Sequence, residues 1–176
     1  NTTTFSAVEN QTSIGTVTAT DVDSENSSVT FTISGSELLI TSGGVLTFSS
    51  APDYETKSSY TAIVTASDGT NSAEESITVN ITDENDNSPL ITSSATFSAA
   101  ENQTAIGTVT ATDTDSDTVA YSLSGTDSSS IGINSSSGVL MFNSAPDYET
   151  KSSYSATVTA SDGTNSTSQA ITVSIT

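Results

Sequence analysis

The sequence is written twice. Phe5-Ser6-Ala7-Val8-Glu9-Asn10-Gln11-Thr12 returns as Phe97-Ser98-Ala99-Ala100-Glu101-Asn102-Gln103-Thr104, 92 residues on. Ile14 through Asp21 returns as Ile106 through Asp113 at the same spacing. Ala51 through Tyr60 returns as Ala145 through Tyr154, now 94 residues on, so the second copy gains two residues between Asp115 and Gly138, most simply in a loop. A unit that recurs head to tail folds as a unit. The duplication therefore predicts one domain over residues 1–82, a linker over 83–89 and a second domain over 90–176.

Each copy reads as strands. Val17 and Ala19 alternate with Thr16, Thr18 and Thr20, the period of a half-buried strand. Val29, Phe31 and Ile33 do the same, matched by Val119, Tyr121 and Leu123. Tyr60, Ala62, Val64 and Ala66 form a third inward row, and Ile77, Val79 and Ile81 a fourth. Thr3–Ala7, Leu38–Ile40 and Val45–Phe48 complete seven short strands, punctuated by Gly35, Gly43-Gly44 and Asp68-Gly69. No window has a helical period. Seven strands in about 90 residues predict an all-β fold, two tandem antiparallel β-sandwiches.

Charge narrows the function. Lys57 and Lys151 stand alone against 21 Asp and Glu, for a formal charge of −19. That balance argues against nucleic acid and anionic membranes as partners. With no His and no Cys, the usual zinc, copper and iron–sulfur ligands are missing, as are Ser-His and Cys-His nucleophile pairs. Absence of Cys also excludes a disulfide framework. No apolar run approaches the roughly 20 residues that span a bilayer, so this segment is not expected to insert directly into a membrane. No leader peptide is recognisable, so the chain reads as a mature or excised segment. Asp53 and Glu55 have the look of a paired-carboxylate hydrolase, but no aromatic sugar platform accompanies them and the duplication sets the same pair in both copies.

The acids fall in a pattern. The linker Asp83-Glu84-Asn85-Asp86-Asn87-Ser88-Pro89 is a run of oxygen-bearing side chains whose only charges are negative. Left bare it would repel itself; hard divalent cations, Ca²⁺ above all, take roughly six to eight oxygen ligands at flexible angles. Strand direction sorts the remaining acids into two poles. Glu9, Asp53 and Glu55 fall at the linker pole of the first copy, and Asp21, Asp23 and Asp68 at its far pole. Stacking the copies would bring Glu9, Asp53 and Glu55 onto Asp113, Asp115 and Asp162. Glu25, Glu37, Glu74, Glu75 and Asp127 read as solvated surface. Tyr54, Tyr60 and their copies read as packing residues. The Asn-x-Ser/Thr matches are expected by chance in a chain this rich in those residues.

Five motifs in order, a Glu in the first loop, Asp-Tyr-Glu, Asp-Glu-Asn-Asp-Asn, Asp-Thr-Asp and Ala-Ser-Asp, resemble the calcium-binding motifs of cadherin repeats. The resemblance covers both copies along nearly their whole length and implies seven-stranded Greek-key sandwiches of the cadherin and immunoglobulin-like type. It implies about three Ca²⁺ ions at the junction. The first would be held by Glu9, Asp53, Glu55 and Asp86. The second would share Glu9, Glu55 and Asp86 and add Asp83, the Glu84 carbonyl and Asp115. The third would use the Asn85 side chain, the Asn87 carbonyl, Asp113, Asp115 and Asp162. Eight carboxylates against three dications leave about two negative charges, a balance that supports the number of ions. Asp21, Asp23 and Asp68 at one end, and Glu101, Asp147 and Glu149 at the other, would be outer half-sites awaiting further repeats, as if the segment were cut from a longer array.

Two departures qualify the resemblance. Asp115 is followed by Ser116-Asp117-Thr118, where the family often has a Gly and an Asn whose carbonyl serves the third ion. No Trp is present, so the tryptophan exchange of classical vertebrate cadherins is excluded for this segment. The resemblance implies an extracellular or cell-surface, non-catalytic module, rigidified by calcium and part of a stalk or adhesin, with neighbouring repeats as its first partners. The paucity of Lys and Arg looks more like a microbial surface repeat than a vertebrate receptor. The alternatives are a homophilic recognition domain and an accessory module binding surface glycans on a secreted enzyme.

Overall fold

Alternation of apolar with Ser and Thr side chains makes strands, and strands this short need a second layer to cover their apolar face. The computed structural model describes residues 2–22 and 28–176, and resolves them into two compact units, 1–84 and 85–176. Among the described residues the elements are all strands, and no helix is long and apolar enough to cross a membrane.

In the first unit β1 (Thr2–Val8), β7 (Ser72–Thr82), β6 (Ser59–Ser67) and β3 (Thr30–Ile33) form one sheet in that order. The other sheet is β2 (Ser13–Thr16), β5 (Val45–Phe48) and β4 (Leu38–Ile40). The inward rows meet between them: Val64, Ile77 and Val79 from the first sheet pack with Leu38, Leu46 and Phe48 from the second. Leu46 and Val79 are fully buried.

One pairing departs from the antiparallel expectation. β1 runs parallel to β7, from Thr2 beside Ser76 to Val8 beside Thr82. Hairpins force sequence neighbours to be antiparallel, whereas the first and last strands of a unit share no hairpin and are free to run together. The consequence is functional. Both strands end at the same pole, so Glu9 emerges beside the start of the linker, its amide bonded to Thr82 O at 3.2 Å.

The strand expected over 16–20 also differs, because β2 ends at Thr16. The pairing has a register shift between Ser13 and Gly15, and past Thr16 the Val17 amide still bonds Gly44 O at 2.8 Å, in register with Thr16 beside Val45. Gly44 is obligatory there: φ is +87° and an added Cβ would lie 2.2 Å from Val17 O.

The second unit keeps the plan and adds to it. β12 (Ala120–Ser124), β15 (Ser153–Ser161), β16 (Ser166–Ile175) and β9 (Thr96–Ala99) form the first sheet, and β9 is again parallel to β16. β10 (Ala105–Thr108), β14 (Val139–Phe142) and β13 (Ile131–Ile133) form the second. The addition is a two-stranded ribbon, β8 (Leu90–Ile91) against β11 (Ala111–Thr112). The two-residue gain is not one insertion. Phe31 and Tyr121 stand 90 residues apart, whereas Leu38 and Ile131 stand 93 apart, so the second copy shortens the loop before β12 and lengthens the one after it.

The longer loop changes one acid's role. Asp127, grouped above with solvated surface, is 9% exposed and receives Lys151 Nζ and the Ser155 amide. Lys151 also lies 4.7 Å from the Tyr154 ring centre. In the first unit Lys57 makes the equivalent contacts, 4.3 Å from the Tyr60 ring and 2.6 Å from Glu37. Both lysines of the chain are thus held against a tyrosine and an acid.

Candidate metal centre

Three carboxylates converge at the linker pole of the first unit. Asn10 adopts φ +62°, a left-handed turn that Asn tolerates better than most residues, and its amide bonds Pro52 O at 3.0 Å. That bond lays Pro52-Asp53-Tyr54 beside Glu9. Glu9 is only 3% exposed. Its Oε2 accepts the Tyr54 amide at 2.8 Å and its Oε1 the Glu84 amide at 2.9 Å. Each carboxylate oxygen can accept more than one bond, so Glu9 keeps lone pairs for a cation. Carboxylate oxygens of Glu9, Glu55 and Asp83 lie within 4.8 Å of one another.

Asp53 is placed differently. Its Oδ1 takes the Thr56 amide at 3.1 Å and its Oδ2 the Thr56 hydroxyl at 2.9 Å, closing the turn that presents Glu55. The Thr56 hydroxyl, then the Thr56 amide, hold its carboxyl below the usual aspartate value.

The second unit gathers the Asn-rich half of the linker. Asp115 grips Asn87 twice, Oδ2 accepting the amide at 2.9 Å and Oδ1 the side-chain Nδ2 at 2.7 Å. The same Nδ2 donates to Asp86 Oδ1 at 2.8 Å. Asp162 Oδ1 accepts the amides of Thr164 at 2.7 Å and Asn165 at 2.6 Å. Burial pushes the Asp162 carboxyl up, but the Asn165 and Thr164 amides and the Asn85 side chain outweigh it and hold it below the ordinary value. Asp113 Oδ1 accepts the amides of Asp115 at 3.1 Å and Asp117 at 3.3 Å.

Two of these oxygens have nothing to accept. Asp113 Oδ2 and Asp162 Oδ2 are buried without a hydrogen-bond partner. A buried carboxylate oxygen left bare is costly, and each marks a place where a cation would supply the missing interaction. Around them every donor is an oxygen of carboxylate, amide or backbone, the set a hard cation such as Ca²⁺ prefers.

The outer groups divide. Glu101, Asp147 and Glu149 bring carboxylate oxygens within 4.8 Å of one another, and Glu101 Oε2 accepts the Tyr148 amide at 3.4 Å. The Thr150 hydroxyl holds the Asp147 carboxyl below its usual value against the opposing effect of burial. At the far pole of the first unit, Asp68 closes its own turn through the amides of Asn71 and Thr70, both at 2.7 Å, which lower its carboxyl. Among the described residues neither Asp68 nor Asp21 joins a cluster of three acids, and Asp23, with Glu25, lies outside the described residues.

Two residues were not anticipated. Asp117 brings a third carboxylate to within 4.8 Å of Asp113 and Asp115, because Ser116 turns the loop back at φ +66°. The Asp-x-Asp-x-Asp spacing carried that signal. Asn165 donates Nδ2 to Asn85 Oδ1 at 2.9 Å and to the Asn85 and Asn87 carbonyls, each at 3.2 Å, so these oxygens converge on one point. Only the Asp-Gly-Thr-Asn turn hinted at it, and a turn reading accounts for that sequence equally well.

Two β-sandwiches whose acids collect at the strand ends define a tandem repeat with oxygen-lined poles. The chain belongs to the cadherin domain family: the family model matches residues 3–82 and again 95–176. Human protocadherin Fat 4 is 36% identical over 163 residues, which is 84% of this chain and 3% of that protein. The Drosophila melanogaster protocadherin-like wing polarity protein stan is 32% identical over 174 residues, 88% of this chain and 5% of that one. The crystal structure of mouse cadherin-23 EC22-24 matches with a TM-score of 0.85 and 25% identity, covering 99% of this chain and 63% of that one. The protocadherin gammaB7 EC3-6 cis-dimer structure matches at 0.73 and 28% identity, over 88% and 42%. The chain thus spans a few hundredths of the length of the curated relatives. Family membership makes it an extracellular, cell-surface module of adhesion type; cadherin repeats are non-catalytic adhesion domains and bind calcium at repeat junctions.

Proposed function

We propose that the chain is a calcium-rigidified, non-catalytic spacer of a surface stalk or adhesin, with neighbouring repeats of the same kind as its immediate partners. The supporting observation is the matched chemistry of the two linker-facing poles. The first unit offers Glu9, Glu55 and Asp83 around a buried Glu9, and the second offers Asp113 and Asp162 with a bare buried oxygen each. Asp86 and Asp115, with the Asn85, Asn87 and Glu84 oxygens, complete a set for about three ions, to which Asp53 adds the outermost ligand. Calcium supplies positive charge where these carboxylates otherwise repel. Glu9 positions the loop that carries Glu55, and Asp115 fixes Asn87 by two hydrogen bonds, so linker and loops are held before an ion arrives.

Isothermal titration of the chelator-stripped chain with CaCl₂ tests this. Extracellular calcium modules bind at about 10⁻⁴–10⁻³ M. Saturable heat in that range with more than one ion per chain is the expected result. Heat no larger than that of a chain with Asp83, Asp86 and Asp115 all changed to Asn removes the calcium role.

A further inference from the structure

A hydrogen-bond donor sits where the oxygens of the linker converge. Asn165 Nδ2 lies 2.9 Å from Asn85 Oδ1 and 3.2 Å from the backbone carbonyls of both Asn85 and Asn87, all within the second unit. Two of these three acceptors are backbone carbonyls, so the atom that faces them is the NH₂ and not the oxygen of the side chain. Asn85 Oδ1 and the Asn87 carbonyl belong to the set assigned above to the third ion, together with Asp162 from the turn that carries Asn165.

The turn does not dictate this placement. The first copy has the same turn, Asp68-Gly69-Thr70-Asn71 against Asp162-Gly163-Thr164-Asn165. In both, the aspartate Oδ1 accepts the amides two and three residues on. In both, the Asn carbonyl accepts the aspartate amide at 3.3 Å. The side chains then part. Asn71 Nδ2 donates back to Asp68 Oδ2 at 3.3 Å. Asn165 Nδ2 turns to the linker oxygens instead, and Asp162 Oδ2, the atom it would otherwise serve, is left buried without a hydrogen-bond partner.

We propose that Asn165 is a latch in competition with the third ion. Its NH₂ holds Asn85 and Asn87 on the second unit at low calcium, and it swings off them when the ion binds. The inference rests on the calcium reading given above. An ion at the focus of these oxygens would lie against the amide protons, positive against positive, so ion and donor cannot share the place. Hydrogen bonds made only in the latched state stabilise that state alone, and they lower the apparent affinity for the ion by the same factor. Asp115 holds Asn87 by two bonds of its own, so the linker keeps its placement without the latch. Asn165 thereby sets the calcium level at which the third site fills.

The test compares the full chain with Asn165→Ala and Asn71→Ala. Each substitution keeps the backbone bonds of its turn and removes one NH₂. Calcium is titrated calorimetrically into all three, and the side-chain amide protons of Asn165 are followed by NMR in the original chain. The expected result is a weakest calcium step about tenfold tighter in Asn165→Ala, which one or two hydrogen bonds account for, and unchanged in Asn71→Ala. The Asn165 side-chain protons should exchange slowly in chelator and lose that protection at saturating calcium. If the chains bind calcium but Asn165→Ala gains no affinity, or Asn71→Ala gains as much, or calcium leaves those protons unmoved, the latch is overturned and the calcium reading stands. No calcium heat in any of the three chains overturns both.

Discussion

Glu9 is where fold and metal chemistry meet, and Glu9→Gln separates them. The glutamine keeps one acceptor oxygen and turns an NH₂ towards the second amide, so one of the two bonds, to Tyr54 or to Glu84, is lost. A hydrogen bond to a charged group contributes about 1.5–3 kcal/mol. The substitution also removes a charge within 4.8 Å of Glu55 and Asp83. At 4.8 Å and an effective dielectric of about 20, each like-charge pair costs about 3.5 kcal/mol before screening, and solvent around Glu55 and Asp83 lowers this. Loss and relief oppose each other in chelator, so the first unit of the variant should melt within about 2 kcal/mol of the original. Calcium reverses the balance. With Kd near 10⁻⁴ M, 10 mM Ca²⁺ stabilises by about 2.7 kcal/mol, and a tenfold loss of affinity removes about 1.4 kcal/mol of that. For a domain of this size that is roughly 5–10 °C of the calcium-induced rise in melting temperature. Calorimetric melting of both chains, each with chelator and with 10 mM CaCl₂, gives all four numbers. An identical calcium-induced rise in the two chains would refute the reasoning.

Other outcomes follow from the same geometry. Asp86→Ala should weaken calcium binding by tenfold or more in calorimetric titration, while Glu74→Ala, an exposed acid on β7, leaves it unchanged; equal isotherms contradict the assignment. Asp117→Asn should lower affinity at the second unit's loop without changing its melting in chelator, because Asp117 contributes its amide, not its carboxylate, to the bond with Asp113. Asp127→Ala strands the Ser155 amide and Lys151 together, and should lower the second unit's stability by about 2 kcal/mol while sparing the first, as two resolved melting transitions would report. The carboxyls of Asp53, Asp68, Asp127, Asp147 and Asp162 are all held below 3.8 in the folded chain. Their contribution is therefore full above the unfolded value near 4 and is lost as pH falls through the lower folded values, so melting in chelator should drop below about pH 4 and not between 7 and 5.

How much of this was legible in the sequence depends on the range of the interaction. The period-two rows at Ile77, Val79 and Ile81 and the duplicated Asp-Tyr-Glu are local, and they placed the strands and the acids. Parallel pairing of β1 with β7 is not local, since nothing in Thr3–Ala7 distinguishes a parallel edge from an antiparallel one. The alternation at Val17 and Ala19 promised a strand in both copies, but a strand needs a neighbour, and only the second copy has Leu90–Ile91 beside it. Asp127 looked like any surface acid until the lengthened loop carried it to Lys151. Asp117 and Asn165 join the site through turns at Ser116 and Gly163, whose backbone conformations decide which oxygens face inward. The linker run itself was the clearest signal, because so many oxygen donors in sequence have few other uses.

The proposed role is rigidity, and rigidity is read most directly by small-angle X-ray scattering of the full chain. Each unit has its own core, so circular dichroism should keep its β signature with and without calcium. The linker, about seven polar residues, should let the units swing freely in chelator. Millimolar Ca²⁺ should lengthen and narrow the distance distribution as ligands from both units close on the same ions. An unchanged maximum dimension across the titration, with calcium binding confirmed in the same samples, would contradict the role.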